Sequence, residues 1–421
     1  MADHRDMARC LDKRVAVVGG GYAGLAAAVE LVANGIKVDV FEASRTLGGR
    51  ARSIEIAGMT VDNGSHILLG AYRETLRLMR QVGAPETSLQ RHPLHIEIPN
   101  ELRLIAPRLP SPFHLGWALL AAQGLSWTEK FAAMRFMRHQ HHFHLDTDIT
   151  VSTLLAEQPE KLRRTLWEPL CLAALNTPVA TASAQIFLNV LRDSLAADRA
   201  DSDLLLPAQP LSALFPEPAA RFIEARGGRV FAGTRIASLT QHEGKFRLDD
   251  ESIYDQVILA VAPQHLSKLI LGLPELAPVV KQVEKFEWKS IVTCYLSYPE
   301  TVCLPFPMVA SGNVWFFDLG TMRGHHGLMA AVLSCPETRP DSAYFSSKLT
   351  RIIPNLPLHR WHRVITEKRA TFACTPNLSR PTTQTALPGL WLAGDYVAGD
   401  YPATLEGAVR SGVAAARLII K

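Results

Sequence analysis

Apolar and polar positions change period several times along this chain, and each change marks an element. Val15 to Val18 is a short β-branched run, Gly19, Gly21 and Gly24 follow with GxGxxG spacing, and Leu25 to Leu31 is Ala-rich. That order predicts a strand, a tight turn and a helix. A second strand, Lys37 to Phe41, ends in Glu42, 18 residues beyond Gly24. Ile54 to Val61 alternates around a hairpin at Ala57-Gly58 and runs into a polar tip, Asp62-Asn63-Gly64-Ser65-His66. Arg221 to Pro263 reads as a helix, a Gly-Gly turn, short strands and the apolar run Val257–Val261. Residues 286–335 alternate aromatic and β-branched types, among them Phe286, Trp288, Tyr295, Tyr298, Trp315, Phe316 and Phe317, and predict a sheet whose aromatics are mostly core. Near the far end, Leu390–Ala393 is a buried-strand run, Gly394-Asp395 a turn, and Thr404 to Gly407 opens a long Ala-rich helix.

The first of these units implies a ligand. In GxGxxG the first glycine permits the turn, the second lets backbone approach a pyrophosphate, and the third lets helix pack close on strand, with the helix N-terminus facing the phosphates. Glu42 stands close to the expected distance of about 20 residues for a ribose-binding acid. A carboxylate there accepts from a 2′-hydroxyl and repels a 2′-phosphate, which disfavours NADP and leaves NAD and FAD open on this unit alone. Gly48-Gly49-Arg50 adds a loop suited to pass near a phosphate while the guanidinium supplies donors.

Composition narrows the class. The chain has 421 residues, 48% hydrophobic and 20% charged, enough for large packed cores. A formal net charge of +4, without a Lys/Arg-rich run, argues against nucleic acid. Six scattered cysteines, Cys10, Cys171, Cys294, Cys303, Cys335 and Cys374, show no zinc spacing and fit reduced thiols in a cytoplasmic protein. Residues 1–14 carry no apolar core for a signal peptide, and no later run of 18 apolar residues would span a bilayer, so the expected location is cytoplasmic or peripheral on a membrane face. His139, His141, His142 and His144 lack a paired carboxylate and lie in a basic stretch, so no metal is expected.

GGGYAGL, FEAS and LGGRARS together resemble the amino-terminal half of the FAD-dependent amine oxidase and phytoene desaturase superfamily, and GLWLAGDYVAGDYPATLEGAVRSGVAAA is similar to its second flavin motif. Within that superfamily, DNGSHILLGAYRETLRLMRQVG resembles the hydroxysqualene dehydroxylases. The likeness is strong at both ends and loose in the middle. It implies FAD as cofactor, contacted by Gly19, Gly21, Gly24, Glu42, Gly49, Arg50, Val230, Asp395, Thr404, Leu405 and Glu406. The helix opening at Thr404 would aim its free N–H groups at the flavin pyrimidine edge, where negative charge accumulates on reduction. With no cysteine in 396–406, a covalent thioether to flavin there is not expected.

The expected fold class is α/β. A Rossmann-like FAD-binding domain, discontinuous at 1–85, 213–265 and 361–421, carries an α+β substrate domain at 86–212 and 266–360. Residues 113–144 are apolar, with Trp117, Trp127, Phe131 and Phe136 and the cations Lys130, Arg135 and Arg138; they read equally as core helices or as an amphipathic pair at a bilayer surface. The resemblance implies a long-chain isoprenoid substrate, with prenyl-synthase enzymes of the same route as partners, and a reduced flavin delivering hydride as hydroxysqualene loses its hydroxyl. Hydroxide leaves poorly, so an acid is needed, and His66 is the candidate; Asp318, His325 and His326 are weaker ones. Three readings compete: an isoprenoid desaturase with reversed electron flow, an amine oxidase lacking an evident acidic cluster, and a non-catalytic prenyl-binding escort protein that would need no complete flavin site.

Overall fold

A computed structural model describes residues 13–139, 145–196, 198–249 and 252–421. In chain order, the elements that build the site are β1 (Arg14–Val18), α1 (Tyr22–Ala33), β2 (Lys37–Glu42), α2 (Arg73–Gln81), α3 (Phe113–Ala121), α4 (Trp127–His139), β3 (Arg229–Ala232), β4 (Gln256–Leu259) and β5 (Trp288–Ser297). They continue with β6 (Met308–Ser311), β7 (Val314–Asp318), α5 (Leu319–Arg323), β8 (Leu328–Ser334), β9 (Trp361–Phe372), β10 (Leu390–Leu392) and α6 (Leu405–Ile420).

Five parallel strands in the order β3-β2-β1-β4-β10 form the first sheet. Strands buried on both faces read as continuous apolar runs, which is the character of Val15–Val18 and Val257–Leu259. The sheet gathers segments from the start, middle and end of the sequence, as the discontinuous arrangement requires. α1 packs on this sheet and along α6, which itself reaches β10, and its tightest approaches are closer than any side chain would allow. A Cβ on Gly24 would stand 1.9 Å from the Gly19 carbonyl oxygen, and one on Gly412 would stand 2.0 Å from that of Ala23. Gly19 itself turns at φ +118°, a conformation that L side chains rarely adopt.

The second large sheet is antiparallel, in the order β6-β7-β8-β5-β9. It realises the aromatic and β-branched alternation of 286–335: Tyr295, Phe316 and Phe317 are buried, whereas Trp288 and Trp315 keep partial exposure. β9 pairs along β5 over its whole length, so Trp361–Phe372 continues this sheet past the boundary expected at 360. The reason is pairing: β9 offers β5 a long antiparallel partner, interrupted only by a register shift between Lys289 and Ile291, and the chain rejoins the parallel sheet only at β10.

No helix among the described residues is long and apolar enough to cross a membrane. His141, His142 and His144 lie outside the described residues, as does the side chain of His139; among the described residues, no three His, Cys, Asp or Glu side chains gather as a metal site would require.

Candidate functional site

The two glycine loops are zipped together at the carboxyl end of β1 and β2. Gly48 N donates to Gly20 O at 2.9 Å, and Gly21 bridges to Gly48. Glu42 closes the end of β2 by accepting from Gly20 N at 2.7 Å and Ser44 N at 2.8 Å, which fixes its carboxylate beside the α1 N-terminus. α1 has no side-chain cap and no acid in its first turn. Its opening N–H groups therefore have no side-chain partner within the helix, the arrangement that a diphosphate satisfies.

The far end of the chain arrives at the same place. Arg50 donates through NH2 to Asp395 Oδ1 at 2.5 Å and through NH1 to Ala370 O at 2.5 Å, joining the first motif to the second and to the end of β9. Gly394 N is held by Ser411 Oγ at 2.8 Å, and Ala393 N by Leu259 O at 3.0 Å, so the Asp395 turn is anchored both to α6 and to the parallel sheet. Thr404 caps α6 by accepting from Gly407 N at 3.1 Å, leaving the first-turn N–H groups at Leu405 and Glu406 free to face a ligand. Two helix N-termini, the Glu42 carboxylate at the end of β2 and glycine surfaces without side chains suit the diphosphate, ribose and pyrimidine edge of FAD, so the residues present fit that cofactor.

Several expected contacts take a more specific form. Glu406 is fully buried, and its carboxylate is committed elsewhere: it accepts from Glu74 N, Thr75 N, Thr75 Oγ1 and Arg410 Nε at 2.7–3.1 Å. It caps α2, leaving only its backbone for a cofactor. Asp395 spends one oxygen on Arg50. Val230 lies within β3, paired to Val40; the chain leaves the sheet just after it, and Thr234 N donates to Glu42 O at 2.8 Å.

The polar tip after residues 59–62 sits beside this cradle. Thr293 of β5 packs against Gly64, where a Cβ would stand 3.5 Å from its Oγ1. His66 is half-buried, with Nδ1 2.7 Å from Gly64 O. A carbonyl only accepts, so Nδ1 carries the proton and Nε2 is the atom open to exchange one. Burial is the largest influence on this imidazole and pushes it below its ordinary value; the Gly64 bond and Asp62 pull it up, and Arg50 and Arg323 push it further down. Of the weaker acid candidates, Asp318 is spent capping α5 through Gly320 N and Thr321 N, while His325 and His326 lie on the turn after Arg323. Arg323 and Tyr295, both joined to Asp62, carried no sequence signal, because their partners are more than 200 residues away.

An apolar cavity lies elsewhere. It measures about 870 Å³ and is walled by apolar side chains including Leu94, Ile96, Trp117, Met134, Trp167 and Leu195, none of them from the glycine loops or the 62–66 tip. Phe113 and Trp117 line it while remaining 68% and 58% exposed, so it reaches the surface between α3 and α4.

Comparison with known proteins agrees with this arrangement. The family model described as flavin containing amine oxidoreductase matches residues 22–420. A hydroxysqualene dehydroxylase from Rhodopseudomonas palustris is 31% identical, covering 97% of this chain and 99% of that protein. A 15-cis-phytoene desaturase from an Oncidium hybrid is 25% identical, covering 97% of this chain and 78% of that protein. Among solved structures, cyclohexylamine oxidase from Brevibacterium oxydans superposes with a TM-score of 0.71 at 16% identity, covering 97% of this chain and 99% of that one, a likeness of fold.

Proposed function

The chain belongs to the family of flavin-containing amine oxidoreductases, and from that premise we propose that it reductively removes the hydroxyl of hydroxysqualene to give squalene. It is an FAD-dependent oxidoreductase. The observation that carries the substrate is the apolar cavity of about 870 Å³, in the upper part of the range of about 300–1,000 Å³ for small-molecule sites and suited to a long hydrocarbon. Identity to the R. palustris enzyme across nearly the whole of both chains supports the same reading.

When bound, reduced FAD supplies the hydride. The chain's part is to activate the leaving group and keep water away. The carbon–oxygen bond breaks as the hydroxyl takes a proton and departs as water; the carbon receives hydride, and one proton plus one hydride are consumed per squalene formed. His66 donates the proton from Nε2 in its imidazolium form, with Nδ1–H held on Gly64 O to fix the ring. Because burial lowers its proton affinity, the imidazolium is a stronger acid than ordinary histidine.

Peripheral contact with the cytoplasmic face of an anionic membrane is part of the proposal. Phe113, Trp117, Trp127 and Phe131 project from α3 and α4 with 58–68% exposure, and α4 also carries the exposed cations Arg135 and Arg138, whereas Lys130 is buried with its Nζ on Leu120 O. That combination of aromatic and basic side chains suits the interfacial region of a bilayer. A shared membrane would also bring the prenyl-synthase enzymes that supply the C30 alcohol to this protein.

The decisive experiment mixes photoreduced holoprotein anaerobically with hydroxysqualene. Flavin reoxidation with squalene formed in equal amount is expected. Absence of both, with oxidised protein instead converting phytoene to a more conjugated polyene, would overturn the proposal in favour of the desaturase reading.

A further inference from the structure

The tip that carries His66 is held by a buried ion pair with no part in the chemistry described so far. Asp62 and Arg323 have side chains 1% and 5% exposed, and Arg323 NH2 donates to Asp62 Oδ2 at 2.5 Å. Arg323 Nε also donates to Pro207 O at 3.1 Å. Asp62 Oδ1 accepts from Leu211 N at 2.8 Å, and Tyr295 OH donates to the Asp62 carbonyl at 2.7 Å. One residue on, Asn63 Nδ2 donates to Arg50 O at 3.3 Å and to Glu367 Oε2 at 3.2 Å. The segment 62–66 is thus pinned from α5, β5, β9 and the loop before residues 211–214, and it ends on His66.

A buried pair of this kind adds little net stability, because desolvation of the two charges offsets their attraction. Its effect on a neighbouring titratable ring is not offset in the same way, since each charge acts on the ring from its own position. The charged and titratable groups that face His66 or its tip are Asp62 and Arg50 from the flavin half, Arg323 from α5, Tyr295 from β5 and Glu367 from β9. Asp62 favours the imidazolium, and Arg323 and Arg50 oppose it.

We propose that Arg323 is a positioning residue for His66: through Asp62 it fixes the 62–66 tip, and it balances the carboxylate charge so that the imidazole can both take up and release a proton. This rests on His66 as the proton donor for its meaning in the reaction. Its physical content, control of His66 by the pair, can be measured independently.

The test follows the His66 ring by NMR in the FAD-loaded protein labelled at histidine Cε1, with His66→Gln identifying the resonance, alongside the pH profile of turnover. Arg323→Met is expected to raise the titration midpoint of His66 by about one pH unit, as loss of a neighbouring cation does. Asp62→Asn is expected to lower it, and the double variant to return towards the starting value. Arg323→Lys keeps the charge and is expected to hold the midpoint while loosening the bond to Pro207. Should Arg323→Met not fold, a lowered midpoint in Asp62→Asn with an unchanged one in Arg323→Lys supports the proposal. Single variants that move the midpoint in the same direction, or not at all, overturn it and leave the pair a strut. Opposite shifts with an unmoved turnover profile support the pair's control of His66 and remove His66 as the acid instead.

Discussion

α1 and α3 are both apolar helices, and they meet opposite fates. α1 buries nearly every side chain, because it packs on the parallel sheet, along α6 and against the helix Pro216–Glu224, so close that Gly24 and Gly412 leave no space for a Cβ. α3 buries only His114, Ala118 and Leu119 and turns Phe113 and Trp117 to solvent beside the mouth of a large cavity. An apolar face needs a partner. α1 finds its partner within the chain, whereas the partner proposed for α3 is the hydrocarbon of substrate and bilayer. The helix at the glycine loops is thus closed by the protein, and the helix beside the apolar cavity is left open.

Closing α1 is the stronger constraint, and breaking it has the largest expected effect. Gly24→Val drives side-chain atoms into the Gly19 carbonyl and should cost more than the about 1–3 kcal/mol typical of overpacking, with loss of bound flavin. Retention of a full flavin absorbance band and an unchanged melting temperature would contradict the packing described. Between the two regions, His66→Ala should keep flavin content and slow turnover by about 10²-fold, the usual scale for an acid–base group. An unchanged single-turnover rate would exclude the role.

The same residue predicts a pH dependence with a definite sign. The donor must be protonated, and its proton affinity is below that of ordinary histidine. Turnover should therefore be greatest at acidic pH and fall as pH rises through that lowered value. A profile that instead rises through the same range would mean that His66 acts as a base.

Opening α3 has the smallest expected effect on the fold. Phe113→Ser with Trp117→Ser should leave melting temperature and flavin content intact while weakening sedimentation with anionic vesicles by about 10-fold or more, in keeping with about 1.5–3 kcal/mol for burying one large apolar side chain. Turnover of detergent-solubilised substrate should suffer less than turnover of substrate held in vesicles. Equal losses in both would place these aromatics in the substrate path alone. Raising salt should weaken vesicle binding of the unaltered protein further, because the accompanying cations are screened.

The local geometry at the candidate cofactor site was legible from residues because it depends on backbone shape. Glycines at 19, 21 and 24, an acid 18 residues later and a strand–turn–helix near the far end each have a local physical reason, and local reasons survive in a linear sequence. The role of Glu406 was not legible in this way. The residue stands inside the second motif, yet only tertiary packing places the N-terminus of α2 against its carboxylate. The Arg323–Asp62 pair lies 261 residues apart, and no periodicity or spacing connects such distant charges. The apolar stretch 113–144 read equally as core or surface, because hydropathy records what a helix needs buried and not what will bury it. The sequence by itself determined the strands, the glycine turns and the flavin motifs, all short-range consequences of backbone sterics. Tertiary structure alone decided which charges face His66 and which apolar face stays open, because both depend on where distant segments pack.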